Sequence, residues 1–271
     1  KLGREAAYLT QVGADAFGDF LVETLQNEGV DTSHVLRSKD YDTSLAFVSF
    51  QPGGERQFSF YRRTAADLHF TAENFKDIAF ESGDVLEFGS VALKTKQSVE
   101  AHIFLIERAR AAGAVVCFDP NLRLNLWEDE EELRLVVKQF MEYAGIIKVG
   151  KDELEFISKA SSAEEAVPAL FGGNLKMLLL TDSDKGAQLY TKDGLKYSLN
   201  ALKVNTIDTT GAGDSFFGGF IAGFMDGGCN YDGADLEDIL RFACKCGAYT
   251  TTNYGAIPAM GTREIIDKAV K

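Results

Sequence analysis

Apolar and polar positions alternate along the chain with two different periods. "AYLTQVG" (Ala7 to Gly13) reads as a short strand. "DAFGDFLVETLQNEG" then places Phe17, Phe20, Leu21 and Leu25 at helical spacing, with Gly29 as the stop. From there strand-like and helix-like runs take turns. "DVLEFG" (Asp84 to Gly89) predicts a strand, "KQSVEAHIFLIERARAAG" a helix ended by Gly113, and "AVVCFDPN" (Ala114 to Asn121) a strand. "LRLVVKQFMEYAG" predicts a helix, "IIKVG" a strand, "DELEFISKA" a helix and "KMLLLT" (Lys176 to Thr181) a strand. A repeated strand–helix order predicts a largely parallel sheet with helices on both faces.

One segment breaks this rhythm. "TSLAFVSFQPGGERQFSFYR" (Thr43 to Arg62) alternates apolar and polar around "QPGGE", which predicts a two-stranded ribbon in which Leu45, Phe47, Phe58 and Phe60 share faces. Its aromatic content suits a lid or a dimer surface better than a plain edge elaboration. Open parallel sheets bind ligands beyond the C-terminal ends of their strands. Gly89-Ser90, Asp119-Pro120-Asn121, Gly150 through Glu153, and Thr181 all fall there, which points to one crevice.

Composition narrows the function classes. The 271 residues are 45% hydrophobic and carry a net charge of −13, so no basic face for nucleic acid is expected. No apolar run approaches the ~20 residues of a membrane helix, and no signal peptide is visible; a cytoplasmic protein is expected. Cys117, Cys229, Cys244 and Cys246 do not have zinc-ligand spacing and read as reduced thiols. His34, His69 and His102 are scattered. The acidic run Glu128 to Leu133 reads as a solvated helix start.

The most informative stretch is "NTIDTTGAGDSFFGGFIAGFMDGG" (Asn205 to Gly228). Phe216, Phe217, Phe220, Ile221 and Phe224 form an apolar helical stripe, while Gly218, Gly219, Ala222 and Gly223 predict a close neighbour on another face. Gly211, Ala212 and Gly213 then form the first turn of a buried helix, whose unpaired N–H groups make an anion site. Asp214 admits two readings, a helix cap or a base that takes a proton from an attacking hydroxyl. The turn is neither a Walker A loop nor a dinucleotide fingerprint, because no G-K-[ST] follows and Phe216 stands where a third Gly would be. That argues against a nicotinamide-dependent oxidoreductase.

"DTTGAGDSFFGGF" closely resembles the second signature of the ribokinase (PfkB) family of sugar and nucleoside kinases. "GADAFGDFLVETLQNEGV", "FDPNLRLNLW", "IIKVGKDELEF", "DKGAQLY" and "NYGAIPAMGT" match further segments in the same order, so the resemblance spans essentially the whole chain. "FYR" at Phe60 to Arg62, "TAAD" at Thr64 to Asp67 and "FDPNLRLNLW" are most like the fructokinase branch. The 2-keto-3-deoxygluconate kinases share a similar DPN-x-R segment.

The resemblance implies a three-layer αβα sandwich with a mostly parallel central sheet, a ribokinase-like fold. It implies a main domain at 1–31 and 65–271, and a small β lid at 32–64. It implies ATP-dependent phosphorylation of a ketohexose, with Asp214 as the base and Gly211, Ala212 and Gly213 as the anion hole. Thr181, Gly186 and Gly213 match nucleotide-binding positions. Arg62 and Arg123 match sugar-contacting arginines. Glu153 matches the acid that helps place Mg²⁺ through water. Asp208, Thr210, Thr250, Asn253 and Gly255 match a monovalent-cation site, usually K⁺. The hairpin around Gln51 to Glu55 matches the family's lid, through which a homodimer could form.

Plainer roles compete. Glu153 could be an ordinary first-turn acid, Arg123 a surface ion-pair partner, Arg62 an edge-strand charge and Asp119 a turn-fixing residue. Three departures from the family pattern stand out. The opening strand and N-terminal Gly-Gly signature are not in the sequence, which starts at "KLG"; the resemblance assigns to them a sugar-binding Asp and Asn and part of the lid. Gly150 replaces the Asn of the family's N-x-x-E motif, and Ser183 stands where Gly is usual. The other readings are a 2-keto-3-deoxygluconate kinase and a relative that keeps the fold but binds without catalysis. Intact Gly211 to Asp214 argues against the latter.

Overall fold

The first apolar run forms β1 (Thr10–Gly13), followed by α1 (Ala16–Asn27) and β2 (Val35–Ser38). The structure, a computed structural model, describes residues 1–50, 56–160, 162–233 and 235–270. Asp15 caps α1 by accepting the N–H of Gly18. β1 and β2 pair in parallel as a separate two-stranded unit. Within the described residues the stripe predicted for α1 is not covered: Phe17, Phe20 and Leu21 remain 55%, 65% and 40% exposed. α1 instead lies against β1 through Gly18, where an added Cβ would come within 2.3 Å of the Gly13 carbonyl. That close approach, not the apolar stripe, decides which side of the helix faces the strands.

The ribbon is present as β3 (Leu45–Phe50) and β4 (Arg56–Tyr61), paired antiparallel. Its register pairs Leu45 with Tyr61 and Phe47 with Ser59, so Leu45 and Phe47 share a face with Tyr61 and not with Phe60. The predicted face-sharing is corrected in that respect: the pleat decides, and directly opposed residues point the same way. The turn Gln51 to Glu55 and the side chain of Phe58 lie outside the described residues.

The main sheet follows. β5 (Val85–Gly89), α2 (Lys96–Ala111), β6 (Val115–Asp119), α3 (Glu130–Met141), β7 (Ile146–Gly150), α4 (Lys151–Ser158) and β8 (Met177–Thr181) match the predicted alternation, and α5 (Ala163–Leu170) is an additional helix between α4 and β8 that the periodicity did not single out. β9 (Ala187–Thr191) and β10 (Lys196–Leu199) add an antiparallel edge that periodicity did not single out. The six strands run in the order β10-β9-β8-β7-β6-β5, with parallel pairing from β5 to β8. α6 (Ala212–Asp226), α7 (Leu236–Thr250) and α8 (Arg263–Ala269) complete the chain.

Strand alternation sorts the core into two layers. Val116, Phe118, Ile147, Val149, Leu178 and Leu180 face one side, with Leu133, Val137, Phe140 and Leu154 of α3 and α4. Val115, Cys117, Ile146, Met177, Leu179 and Leu189 face the other, under Phe216, Phe217, Phe220 and Phe224 of α6 and Leu240 of α7. The result is the expected helix–sheet–helix sandwich. Among the described residues no helix is long and apolar enough to cross a membrane.

Candidate active site

α6 begins where the sequence motif predicted. Its N-cap is Gly211, at φ 75, in the left-handed region. A Cβ there would lie 3.0 Å from Ala256 Cβ, so both conformation and space call for glycine. No side chain caps this end. Asp214 is therefore not the cap: it sits on the third residue of the helix, exposed. The first-turn amides of Ala212 and Gly213 lie beside it at the positive end of the dipole. Along α6, the small-residue face is used in part. A Cβ on Gly219 would meet Cys246 Sγ of α7 at 2.6 Å, and one on Gly223 would meet Ile239 at 3.1 Å. Gly218 has nothing within 4 Å, so it does not belong to that contact.

Pleating puts a row of charged residues beneath this turn. Cys117 and Ile146 face α6, so Asp119 and Lys148, two residues further along each strand, do so too. Lys148 Nζ lies 2.8 Å from Asp119 Oδ2, with the two residues 7% and 4% exposed. A Cβ on Gly213 would come within 3.1 Å of Lys148 Nζ, which places the ammonium under the anion-site turn. Burial pushes the Asp119 carboxyl up to about 6, against the pull of Lys148. Glu87 stands opposite Cys117 on β5. Desolvation, then the charges of Asp119 and Asp214, push its carboxyl up to about 7, with Lys148 opposing. Tyr8 keeps half its surface exposed, and its pKa is raised by desolvation first, then by the charges of Asp67 and Glu87, with Arg62 opposing and Asp214 adding a little.

Glu153 joins two parts of the site. Its Oε2 accepts the Gly150 N–H at 2.7 Å and its Oε1 the Leu122 N–H at 2.6 Å. It thus closes the first turn of α4 and holds the loop after β6, where Asn121 takes φ 45. With one amide on each oxygen, each retains acceptor capacity for a water, which suits an indirect contact to a cation better than direct ligation. Arg123 follows on this loop, exposed, its guanidinium bonded only to the Asn121 and Leu122 carbonyls among the described residues. Leu122, Arg123, Leu124 and Asn125 line a recess closed by Phe60 of β4. Arg62 is held differently, in a buried ion pair with Asp67, with a second bond to the Val91 carbonyl at 2.7 Å. Its plain rival reading, an exposed edge charge, does not fit that burial.

Thr181 ends β8, and the loop to β9 takes two left-handed residues, Ser183 (φ 42) and Gly186 (φ 101). A Cβ on Gly186 would fall 2.0 Å from the Leu199 carbonyl. A cavity of 390 Å³ opens alongside, lined by Lys151, Leu180, Asp182, Gly186, Leu199 and Asn200 among others. Asp208 ties two further loops together. It accepts the Thr210 N–H and hydroxyl on Oδ1 and the Gly255 N–H on Oδ2. The amides of Ile207 and Asp208 donate to the Thr251 carbonyl. Thr250 is fully buried, its hydroxyl on the Cys246 carbonyl, and Asn253 lies on the same turn. Asp208 thus joins the loop before α6 to the turn after α7, where the residues matched to a monovalent-cation site lie.

The structure thus sets Gly211, Ala212, Gly213 and Asp214 at the start of α6, with Gly213 over Lys148 of β7 and its partner Asp119 of β6. Sequence reasoning missed Lys148, Glu87 and Tyr8. A signal was present for two of them, since a charge inside "IIKVG" or "DVLEFG" is out of place in a buried strand.

Comparison with known proteins agrees with this layout. Residues 1–263 match the pfkB family carbohydrate kinases. Fructokinase-2 of Solanum lycopersicum is 39% identical over 264 residues, covering 97% of this chain and 80% of that protein. Probable fructokinase-4 of Arabidopsis thaliana is 37% identical over 273 residues, covering 100% of this chain and 83% of that one. Among solved structures, a fructokinase of Vibrio cholerae O395 with fructose, ADP and calcium ion bound superposes with a TM-score of 0.92 at 30% identity, covering 100% of this chain and 87% of that chain. An aminoimidazole riboside kinase of Salmonella enterica, complexed with aminoimidazole riboside and an ATP analog, gives 0.88 at 28% identity, covering 98% and 86%.

Proposed function

We propose that this chain, which belongs to the pfkB family of carbohydrate kinases, transfers the γ-phosphoryl group of ATP to D-fructose, giving fructose 6-phosphate and ADP. The observation that carries the reading is Asp214. It stands exposed in the first turn of α6, where no side chain caps the helix and the Ala212 N–H rests on the Thr209 carbonyl at 3.3 Å, and it lacks the capping role that would otherwise explain it. Its similarity to fructokinases over nearly its whole length supports fructose as the acceptor.

The sugar's primary hydroxyl gives its proton to the Asp214 carboxylate as its oxygen attacks the γ-phosphorus in line. The bond to the β–γ bridging oxygen breaks and ADP leaves, so no covalent enzyme intermediate is formed. The amides of Gly211, Ala212 and Gly213 stabilise charge on the transferring group. Arg123, and Arg62 through its pair with Asp67, hold the sugar side. The loop from Thr181 to Gly186 takes the nucleotide. Mg²⁺ bound with ATP would neutralise phosphate charge, and Glu153 would meet it through water. Asp208 and Thr210, with the turns around Thr250, Asn253 and Gly255, would hold K⁺ and so keep the α6 turn in shape. Phe47 and Tyr61 pack edge to face on the exposed surface of the hairpin, which suits a lid and a homodimer contact.

The test is ADP release with ATP, Mg²⁺ and K⁺, offered fructose, 2-keto-3-deoxygluconate, ribose or adenosine. Fructose-dependent turnover that falls by roughly 10²–10⁴ in Asp214→Ala is expected for a lost general base. Preference for 2-keto-3-deoxygluconate would change the substrate and keep the mechanism. A folded full-length protein that binds ATP but turns over no acceptor would overturn the reading in favour of a non-catalytic relative.

A further inference from the structure

Lys148 is a cation in an unfavourable place. The residue is 7% exposed, and its ammonium lies under Gly213, within 3.1 Å of where a Cβ would be. That is the positive end of α6, where a helix disfavours cations. The preceding positions on this face, Cys117 and Ile146, are apolar and fully buried, so an apolar residue would satisfy the packing here. Burying an ammonium is costly unless it is well paired. The pairing is incomplete on both sides. Asp119 offers one oxygen at 2.8 Å, while its Oδ1 is buried with no partner. Asp119 is the only hydrogen-bond acceptor of Lys148 among the described residues, although an ammonium has three N–H groups.

The charges that face this pair come from three elements besides β6 and β7: Glu87 of β5, Asp214 of α6 and Glu153 of α4. An ion pair kept for stability alone would be fully satisfied and would avoid a helix N-terminus. One that serves an anion arriving at the turn belongs where this one is. We propose that Lys148 is a positioning residue for phosphoryl transfer: held by Asp119, it supports the Gly213 turn from below and adds positive potential to the amides that receive the transferring group. The proposal rests on the kinase reading above.

Steady-state kinetics on wild type, Lys148→Met, Lys148→Arg, Asp119→Asn and the double variant Lys148→Met/Asp119→Asn would test it. The double variant removes both charges with little change in volume, so it keeps a folded core even if Lys148→Met alone does not. The expected result is a kcat roughly 10²-fold lower in Lys148→Met, the scale of losing one oxyanion donor, with the KM for sugar little changed. Lys148→Arg should recover part of it, and the double variant should remain as slow as Lys148→Met. A double variant that melts like wild type and matches its kcat would overturn the proposal, since the pair would then be structural only. A wild-type chain that turns over no sugar would remove the kinase reading and this proposal together; an active wild type with a fast double variant removes only the latter.

Discussion

The amide of Leu122 lies 2.6 Å from Oε1 of Glu153, so an acid in the first turn of α4 also latches the loop that carries Arg123. The other oxygen accepts the Gly150 N–H. One carboxylate therefore ties the proposed sugar-side loop to the start of α4. Glu153→Gln keeps a single acceptor oxygen and turns an NH₂ toward one of the two amides. A hydrogen bond to a charged group contributes roughly 1.5–3 kcal/mol, so a loss of about that size is expected in thermal or urea unfolding. Misplacing the loop should lower kcat/KM for the sugar by about 10–100-fold. A variant with wild-type stability but altered Mg²⁺ dependence would show that the latch is incidental.

Ser183 and Gly186 share a turn and differ in their tolerance. Ser183 holds φ 42, which costs a residue with a Cβ about 1–2 kcal/mol. Glycine there would lose about 0.5–1 kcal/mol to unfolded-chain entropy. The strain outweighs the entropy, so Ser183→Gly should stabilise by up to about 1 kcal/mol in denaturant unfolding. Gly186→Ala should do the reverse, because its Cβ would fall 2.0 Å from the Leu199 carbonyl. The departure from the family pattern at Ser183 thus leaves the loop's left-handed geometry in place.

Much of this molecule was legible in its sequence, for physical reasons that also mark the limits. The buried strands from Val85 to Thr181 showed themselves as apolar runs between helical repeats, and the ribokinase-like layering followed. The motif placed Gly211 to Asp214 correctly because glycine is required there by both φ and space. β9 and β10 were harder to see, since an edge pair with a half-exposed pattern such as Lys196–Leu199 has little apolar signal. The α1 stripe shows a limit of periodicity: spacing reports which residues share a face, not what covers it. Lys148 was hidden for a different reason. Its charge inside "IIKVG" was a signal that something unusual sits there, but that it points at Asp119 and Gly213 shows only once the pleat is known.

Gly218 and Gly219 are neighbours with opposite expected behaviour. An alanine at 218 meets nothing within 4 Å and gains helix propensity, so Gly218→Ala should stabilise by about 0.5–1 kcal/mol. An alanine at 219 would place its methyl 2.6 Å from Cys246 Sγ in α7, and overpacking of this kind costs about 1–3 kcal/mol. Paired denaturant melts of the two variants give the answer. Equal effects at both positions would mean that α6 and α7 do not pack through this face.

Glu87 makes stability depend on pH in a direction set by its surroundings. Its folded carboxyl is pushed from 4.5 up to about 7, by desolvation first and by Asp119 and Asp214 next. Below 4.5 the carboxyl is protonated in both folded and unfolded chains and costs nothing. Between 4.5 and about 7 the unfolded chain gives up its proton and the folded chain keeps it. The native state then binds more protons, so stability falls as pH rises through this window. Above the folded pKa both forms are ionised and the loss stays constant. Asp119, raised to about 6, acts in the same direction at lower pH. Glu87→Gln removes the part of the slope that reaches to about pH 7. The variant should melt with wild type near pH 4.5 and above it past pH 7, leaving a residual fall below about pH 6 from Asp119. Melting curves that stay parallel for the two proteins across this range would show that Glu87 is ionised in the native chain throughout, and that the row beneath α6 carries more negative charge than its burial implies.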